Sequence, residues 1–573
     1  MNQKRISDIF IYILLTIIFL APRLPNIDSF VTLDEPSWLS QGANFYYALG
    51  QREFEKTVYE YQPAVTTMSI ISLALHFYFP EYRGLGQGYL DYEKWTLDLF
   101  MREHGKDPLI LLTYARIIQV FALLVLFLII YYLLQKIIPN WIAFFSVTLA
   151  SLDPFWMAHA RMMDHEAMVS SFVVISILSL TIYLAQDRKF IFLILSGAAA
   201  GFAQLTKSSA IAMLAAIGVL LLIKMYQERE AGWAKAFLNQ SKVFGIWFTV
   251  LVAVYFIFWP GMWAAPDKML YEVYGNAFSF AFQGARLTVT EELNVSRFRL
   301  NTSFLDIWDV AKILFYRTTP ITWLGVLLAF TFRFNPNAEL IRTLKLLSTM
   351  FLTTAAAFVF LIGIAQGRNS PHYILSSYLA LNLLAGLGWI HALQWLRARL
   401  SAKQLQIQSA GFAVVLFIQA WSAISNFPYY YTYRNPILYS LGWYNEFPHF
   451  PMGEGLEIAA AYLAQLPDAE NNVVFSYYGR GCFSYFYPGG TLGFRPYYVD
   501  GEHAADLLTN LTASDYLIVY YANQGQLSRY ENYLKALSVV EPFQVIWMNG
   551  YEYIRIYKVD LLSPEIFEAL ANL

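Results

Sequence analysis

Long apolar runs dominate the chain and set its first reading. They lie near 8–24, 109–134, 141–158, 167–185, 190–206, 208–225, 243–260, 311–332, 346–365, 372–394 and 408–426. A helix needs roughly 17–25 apolar residues to cross the hydrocarbon core of a bilayer, so this spacing predicts about eleven transmembrane helices. Three further stretches are shorter or amphipathic and are expected to lie along the interface. The first is 36–50, where Trp38, Phe45, Tyr46 and Leu49 share a helical face; the second is Ala64–Phe79, which opens at Gln62-Pro63; the third surrounds Leu90–Met101.

The polar connectors orient these segments. Lys136-Ile137, Asp187-Arg188-Lys189 and the stretches 224–242, 333–345 and 397–403 are rich in Lys or Arg, which by the positive-inside rule places them and the N-terminus in the cytoplasm. The outer face then carries the 26–108 loop, the 159–166 turn, the Thr206-Lys207 turn, the 261–310 loop, the 366–371 turn and everything after Phe427. From Pro428 the apolar runs shorten and Asp, Asn, Gly and Tyr become common. A helix is expected at 454–466, strands at 472–478 and 515–521, another helix near 525–537, and a closing hairpin around Asn549-Gly550. The division expected is a membrane domain over 1–427 and a soluble extracytoplasmic α/β domain over 428–573. No internal repeat or inverted hydropathy symmetry is visible, which weakens a transporter reading.

Composition narrows the class. The chain is 57% hydrophobic, 18% aromatic and only 14% charged, the profile of a multi-pass membrane protein. A net charge of −2 gives no basic face for nucleic acid. One cysteine, Cys482, offers neither an internal disulfide nor a thiolate metal cluster, so redox chemistry is not expected. Lys4 and Arg5 precede an apolar run that ends in Pro22-Arg23-Leu24-Pro25 without a small-x-small cleavage pattern, and it reads as a retained first helix.

Charged groups at membrane boundaries are costly and become site candidates by default. Asp34-Glu35 follows the first apolar segment, and Asp164-His165-Glu166 sits at another boundary. Arg116, Arg161, Lys207, Arg368 and His372-Tyr373 lie at apolar edges. Each has an ordinary structural reading: Asp34 as a helix N-cap with Glu35 in the first turn, Arg116 as a snorkelling side chain, Lys207 as a helix-end anchor, Arg368 as a loop charge and His372-Tyr373 as part of an interfacial aromatic belt.

As an ordered set, Asp34-Glu35, Tyr61-Gln62-Pro63, Arg116, Arg161-Met162-Met163-Asp164, Leu205-Thr206-Lys207, Trp259-Pro260-Gly261, Arg368 and His372-Tyr373 resemble the GT-C glycosyltransferases of the protein O-mannosyltransferase and lipid A aminoarabinose transferase type. The resemblance covers about 1–395, and Gln62 stands where that family usually has His-Pro or Lys-Pro. It implies an inverting enzyme that moves a sugar from a polyprenyl-phosphate donor to a hydroxyl acceptor (protein, lipid or glycan) at the outer face of the plasma membrane. Asp34 would be the general base, because the acceptor proton must leave as the new bond forms. Glu35 and Asp164 complete the catalytic group. Arg116, Lys207, Arg368 and His372 would hold the donor phosphate, whose growing charge fixed cations stabilise best in a poorly hydrated pocket. Arg161, Tyr61, Tyr373 and Glu166 would contact substrate. No cofactor is assigned; a divalent metal stays open, with His165 and Glu166 as weak ligands. A transporter or channel with an acidic outer vestibule is the competing class, and a glycan-binding relative without activity is a third.

Overall fold

The computed structural model describes residues 3–58, 62–90, 97–185, 188–283, 299, 304–331, 338–365, 370–399, 404–442, 451–477, 479–494, 508–521 and 531–571. The chain divides into two units: one of Met1–Pro25, Asn44–Gly86 and Ala115–Ile437, the other of Asn26–Ala43, Gln87–Tyr114 and Leu438–Leu573. The second unit therefore takes in two pieces of the chain between the first two apolar segments as well as the C-terminal region.

The first unit is helical and membrane-spanning. Among the described residues six helices are long and apolar enough to cross a bilayer, or seven if the bent pair Asn140–Ser151 and Pro154–Arg161 is one span. All eleven expected segments hold helix, but Phe190–Thr206 with 17 residues and Pro320–Ala329 with 10 are short for a crossing. Proline explains two of the breaks, since it lacks an N–H and is favoured at a helix start. Asp153 accepts a hydrogen bond from Trp156 N at 2.8 Å ahead of Pro154, and Thr319 Oγ1 accepts from Thr322 N at 3.1 Å ahead of Pro320. These N-caps restart a helix at each break, and the first pair bends by 72°.

Burial separates central from peripheral helices. Glu166–Ala185 and Pro371–Trp395 each have 89% of their apolar window buried, whereas Trp233–Ile257 has 22%. On that last helix Phe237, Phe248 and Ile257 are about half or more exposed, a face that suits hydrocarbon and not water. Small residues let backbones approach where lipid supplies no hydrophobic drive. Gly197 and Gly201, four apart on Phe190–Thr206, lie against Trp233–Ile257: a Cβ on Gly197 would stand 2.7 Å from Trp247 O, and one on Gly201 2.7 Å from Val254 Cβ. Hydrogen bonds fasten the same contact, with Trp247 Nε1 donating to Ser196 Oγ at 2.9 Å and Ser196 Oγ to Ser176 O at 2.7 Å.

Residues 36–50 depart from expectation. They lie in helix Glu35–Gln51, but Ser40, Gln41 and Asn44 on its polar face are as buried as Trp38, Phe45 and Tyr46. An interfacial helix keeps its polar face in water; this one is enclosed on all sides. Helix Val65–Tyr78 spans 14 residues and leaves Leu73 and Phe77 exposed.

The second unit holds a five-stranded sheet, β1 Val473–Tyr477, β2 Gly490–Phe494, β3 Tyr516–Val519, β4 Gln544–Met548 and β5 Tyr551–Lys558, in the order β2-β1-β3-β5-β4. β1 pairs parallel with β2 and β3, while β5 runs antiparallel to both β3 and β4. The β4–β5 hairpin turns at Asn549-Gly550, both at positive φ (48° and 80°), as a two-residue turn of this kind requires. Strands β1 and β3 match the expected segments, and helix Leu456–Leu463 falls inside the expected 454–466. β2 has two glycines in five residues and no strand-like alternation, which hid it from the sequence reading.

The Gly201 contact generates a direct test. Gly201→Ala should lower the melting temperature of the detergent-purified protein by several degrees, because its Cβ meets Val254 in a helix pair that has nothing to yield. Gly218→Ala, where a Cβ meets open space on helix Met213–Gln227, should leave it unchanged or raise it slightly. Equal melting of the two variants would remove the close approach as a stabilising feature.

Candidate functional site

The polar groups of the first unit gather where helix Pro154–Arg161 ends and Glu166–Ala185 begins. His159 Nδ1 lies 2.5 Å from Asp164 Oδ2 and 3.2 Å from the Tyr431 hydroxyl. A carboxylate only accepts, so Nδ1 carries the proton toward Asp164, and in the neutral ring Nε2 is the acceptor. That Nε2 is buried without a hydrogen-bond partner. Asp164 Oδ1 also accepts from Glu166 N at 3.0 Å, which pins the turn. The His372 ring lies 5.9 Å from His159 and 4.3 Å from Tyr373.

One turn further in, Lys207 closes helix Phe190–Thr206 and its ammonium pairs with the buried Glu166 carboxylate. The Tyr373 ring covers the same ammonium at 4.6 Å, and His165 Nε2 lies 3.7 Å from Glu166 Oε1. Lys207 and Tyr373 line a cavity of about 140 Å³. Gln62, Ser208, Ser209 and Tyr274 are further polar residues of its wall, and Ile211, Phe278, Leu361 and Ile362 are among the apolar ones. Gln62 is 5% exposed, and its Oε1, like Ser209 Oγ, has no hydrogen-bond partner. Buried polar atoms left unsatisfied are uncommon and call for an explanation such as a ligand.

Arg161 has a different setting. It is fully buried, donates to Pro25 O at 2.9 Å and Pro428 O at 3.2 Å, and lies over the rings of Tyr430 and Phe427. These are carbonyls and aromatic faces within the unit, so the structure gives Arg161 a fastening role. Arg116 is fully buried on helix Pro108–Ile137.

Asp34 and Glu35 belong to the second unit, and their neighbours separate them. Glu35 is buried and its Oε2 accepts from Thr32 N at 2.7 Å, the reciprocal bond of a T-x-x-E capping box. Asp34 is exposed at the head of the helix.

Residues 94–259 match the family model described as dolichyl-phosphate-mannose-protein mannosyltransferase. The match covers less than a third of the chain. The matched segment holds Arg116, Arg161, Asp164, His165, Glu166 and Lys207, and leaves Asp34 and His372 outside it. Among curated proteins none matches in sequence. Similar solved structures include ArnT from Cupriavidus metallidurans bound to undecaprenyl phosphate (12% identity, 96% of this chain and 99% of that one, TM-score 0.46). The Saccharomyces cerevisiae protein O-mannosyltransferase Pmt1-Pmt2 complex bound to the sugar donor covers 51% of this chain and 38% of its own at 15% identity and TM-score 0.35. The Archaeoglobus fulgidus oligosaccharyltransferase tethered with an acceptor peptide covers 99% and 77% at 11% identity and TM-score 0.44.

Of the site residues expected from the sequence, the structure brings Asp164, His165, Glu166, Lys207, His372 and Tyr373 into one neighbourhood. Tyr61 and Arg368 lie outside the described residues. Among the described residues no group of three His, Cys, Asp or Glu side chains is arranged to hold a metal ion. Sequence reasoning missed His159 and Tyr431. A signal existed for His159, which stands five residues before Asp164 on the turn already singled out; Tyr431 is 272 residues away from His159 and carried none.

The Arg161 geometry predicts a split result. Arg161→Gln should destabilise the protein by about 2–4 kcal/mol, since a buried charge and its hydrogen bonds are lost together, while leaving undecaprenyl-phosphate affinity within about twofold, well under the tenfold that 1.4 kcal/mol represents. Thermal unfolding and a lipid titration check the two halves; a selective loss of lipid binding would return Arg161 to the substrate site.

Proposed function

We propose that this protein is a glycosyltransferase that moves a sugar from a polyprenyl-phosphate carrier to a hydroxyl acceptor at the outer face of the plasma membrane. The observation that carries the reading is the cavity of the membrane unit, whose wall combines the cation Lys207 with Gln62 and Tyr373 and the apolar Ile211, Phe278, Leu361 and Ile362. A prenyl phosphate combines an anion with an apolar chain. The family matched by residues 94–259 is named for a lipid-phosphate-linked sugar, which supports the donor class.

Lys207 is the proposed phosphate contact. An ammonium carries three donors and a full positive charge, and Glu166 fixes its position. A cation held at low hydration stabilises the charge that grows on the leaving phosphate more than it would in water. Arg116, Arg368 and His372 remain proposed phosphate contacts, and Tyr373 a substrate contact. Asp34 is proposed as the base. The acceptor oxygen forms the new bond to the anomeric carbon, the bond from that carbon to the phosphate oxygen breaks, and the acceptor proton passes to the Asp34 carboxylate. Attack opposite the leaving group inverts the anomeric configuration. Glu35 serves this step through its capping bond to Thr32.

Two measurements test the reading. Lys207→Met should weaken undecaprenyl-phosphate binding at least ~10-fold, about 1.4 kcal/mol, and Leu361→Trp, which adds bulk to the apolar wall, should weaken it comparably without touching a charge. Unchanged affinity in both would move the donor elsewhere. Asp34→Asn should remove transfer by about 100-fold or more while leaving lipid affinity intact, because the amide keeps the shape and takes no proton. Glu35→Gln, which still offers an acceptor oxygen to Thr32 N, should retain most of the activity; the reverse order of the two variants would exchange their roles.

A further inference from the structure

The C-terminal region places one irregular turn against the segment that carries Asp34. Gly481 sits in the turn Gly479–Phe483 at φ +83°, a conformation L side chains rarely adopt. A Cβ at Gly481 would stand 2.1 Å from Pro36 Cγ and 2.8 Å from Pro36 Cβ, two residues after Asp34. No heavier residue fits there without displacing the helix start. A second glycine repeats the arrangement on the other side: Gly453, at φ +104°, would put a Cβ 2.6 Å from Val31 O, and its neighbour Met452 accepts a hydrogen bond from Leu33 N at 3.1 Å. Residues 31–36 are thus gripped at both ends by backbone that approaches too closely for any side chain.

The same turn also holds the other loop piece of the unit. Ser484 O accepts from Arg102 at 2.9 Å, and Ser484 Oγ donates to Asp98 Oδ2 at 3.3 Å while accepting from Gly481 N at 2.9 Å. Arg480 lies 3.8 Å from the same Asp98 carboxylate. Helix Leu97–Glu103 and the Asp34 segment are therefore tied to this turn and to Ser484, the residue that follows it.

We propose that the Gly479–Phe483 turn is the positioning device of the catalytic base: Gly481, by its contact with Pro36, sets where the Asp34 carboxylate stands, so that the C-terminal region governs the chemical step. The inference rests on Asp34 being the base. It makes Gly481 a positioning residue, acting through Pro36 and touching no substrate. The glycine is needed twice, for its positive φ and for the space its missing side chain leaves.

The test compares Gly481→Ala with Gly481→Ala/Pro36→Gly, which removes the two atoms the new Cβ would strike, and with Gly550→Ala, which carries the same backbone strain (φ +80°) in open space on the β4–β5 hairpin. Hydrogen exchange of the peptide spanning Val31–Trp38 is read alongside initial rates with dolichyl-phosphate mannose and undecaprenyl-phosphate aminoarabinose, using whichever donor the wild type turns over. Gly481→Ala should exchange faster at Leu33 and lose kcat by about 10–100-fold, the cost of a base misplaced by around an ångström, at unchanged KM for donor. The double variant should recover both. Gly550→Ala should match the wild type in exchange at 31–38 and in kcat. Wild-type exchange in Gly481→Ala, or loss of kcat without rescue by Pro36→Gly, overturns the positioning role. An active Asp34→Asn would instead strike the base assignment, so the two failures are told apart.

Discussion

A charge placed among apolar side chains has to find a partner, and the site in the membrane unit is built on one such pairing. The ammonium of Lys207 and the carboxylate of Glu166 are both buried and bonded to each other. Removing either would leave an uncompensated charge at a cost of several kcal/mol. The pairing fixes two helix ends at once, because Lys207 closes Phe190–Thr206 and Glu166 opens Glu166–Ala185. With those ends held, Tyr373 stacks on the ammonium and both line the cavity that Gln62 and Ile362 also line. The adjacent Asp164–His159 pair follows from the same turn: Asp164 holds Glu166 N with one oxygen and His159 with the other.

Elsewhere in the membrane unit one polar network closes internally. Thr322 donates to Asn382 Oδ1 at 2.6 Å, Thr319 to Gln419 Oε1 at 2.7 Å, and Gln419 reaches Leu149 O at 3.4 Å, so that four helices share one buried network. Satisfied networks of this kind rigidify a core. What distinguishes Gln62 and Ser209 is that they line a cavity together with the paired Lys207.

Much of this was legible in the sequence, for reasons that are physical. Apolar length reports membrane helices because the bilayer penalises anything else, and all eleven expected segments hold helix. Breaks were less visible: Pro154 and Pro320 looked like interruptions within a span, while the caps Asp153 and Thr319 that restart the helix read as ordinary polar residues. Charges at apolar edges pointed to Lys207 and Glu166, which the structure pairs with each other. The same rule pointed to Arg161, which donates to two backbone carbonyls. Edge position shows that a charge is paid for and does not show by what. Contacts between residues far apart in the chain, such as Tyr431 with His159, leave no local signature at all.

The assignment of Asp34 to the sheet-bearing unit changes how its neighbour is understood. Two adjacent carboxylates after a first helix look interchangeable in the sequence, yet a capping box consumes one of them: Glu35 faces inward to Thr32 N and Asp34 is left outside. The box alone fixes only a turn of helix, and a turn of helix can still tilt. What restrains the tilt is the close approach of glycine backbone, to Val31 O at Gly453 and to the Pro36 ring at Gly481, both glycines from a region more than 400 residues downstream. Neither a carbonyl nor a proline ring has a rotamer that would relieve such a contact. The glycine turns of this unit are therefore suited to hold the Asp34 carboxylate still.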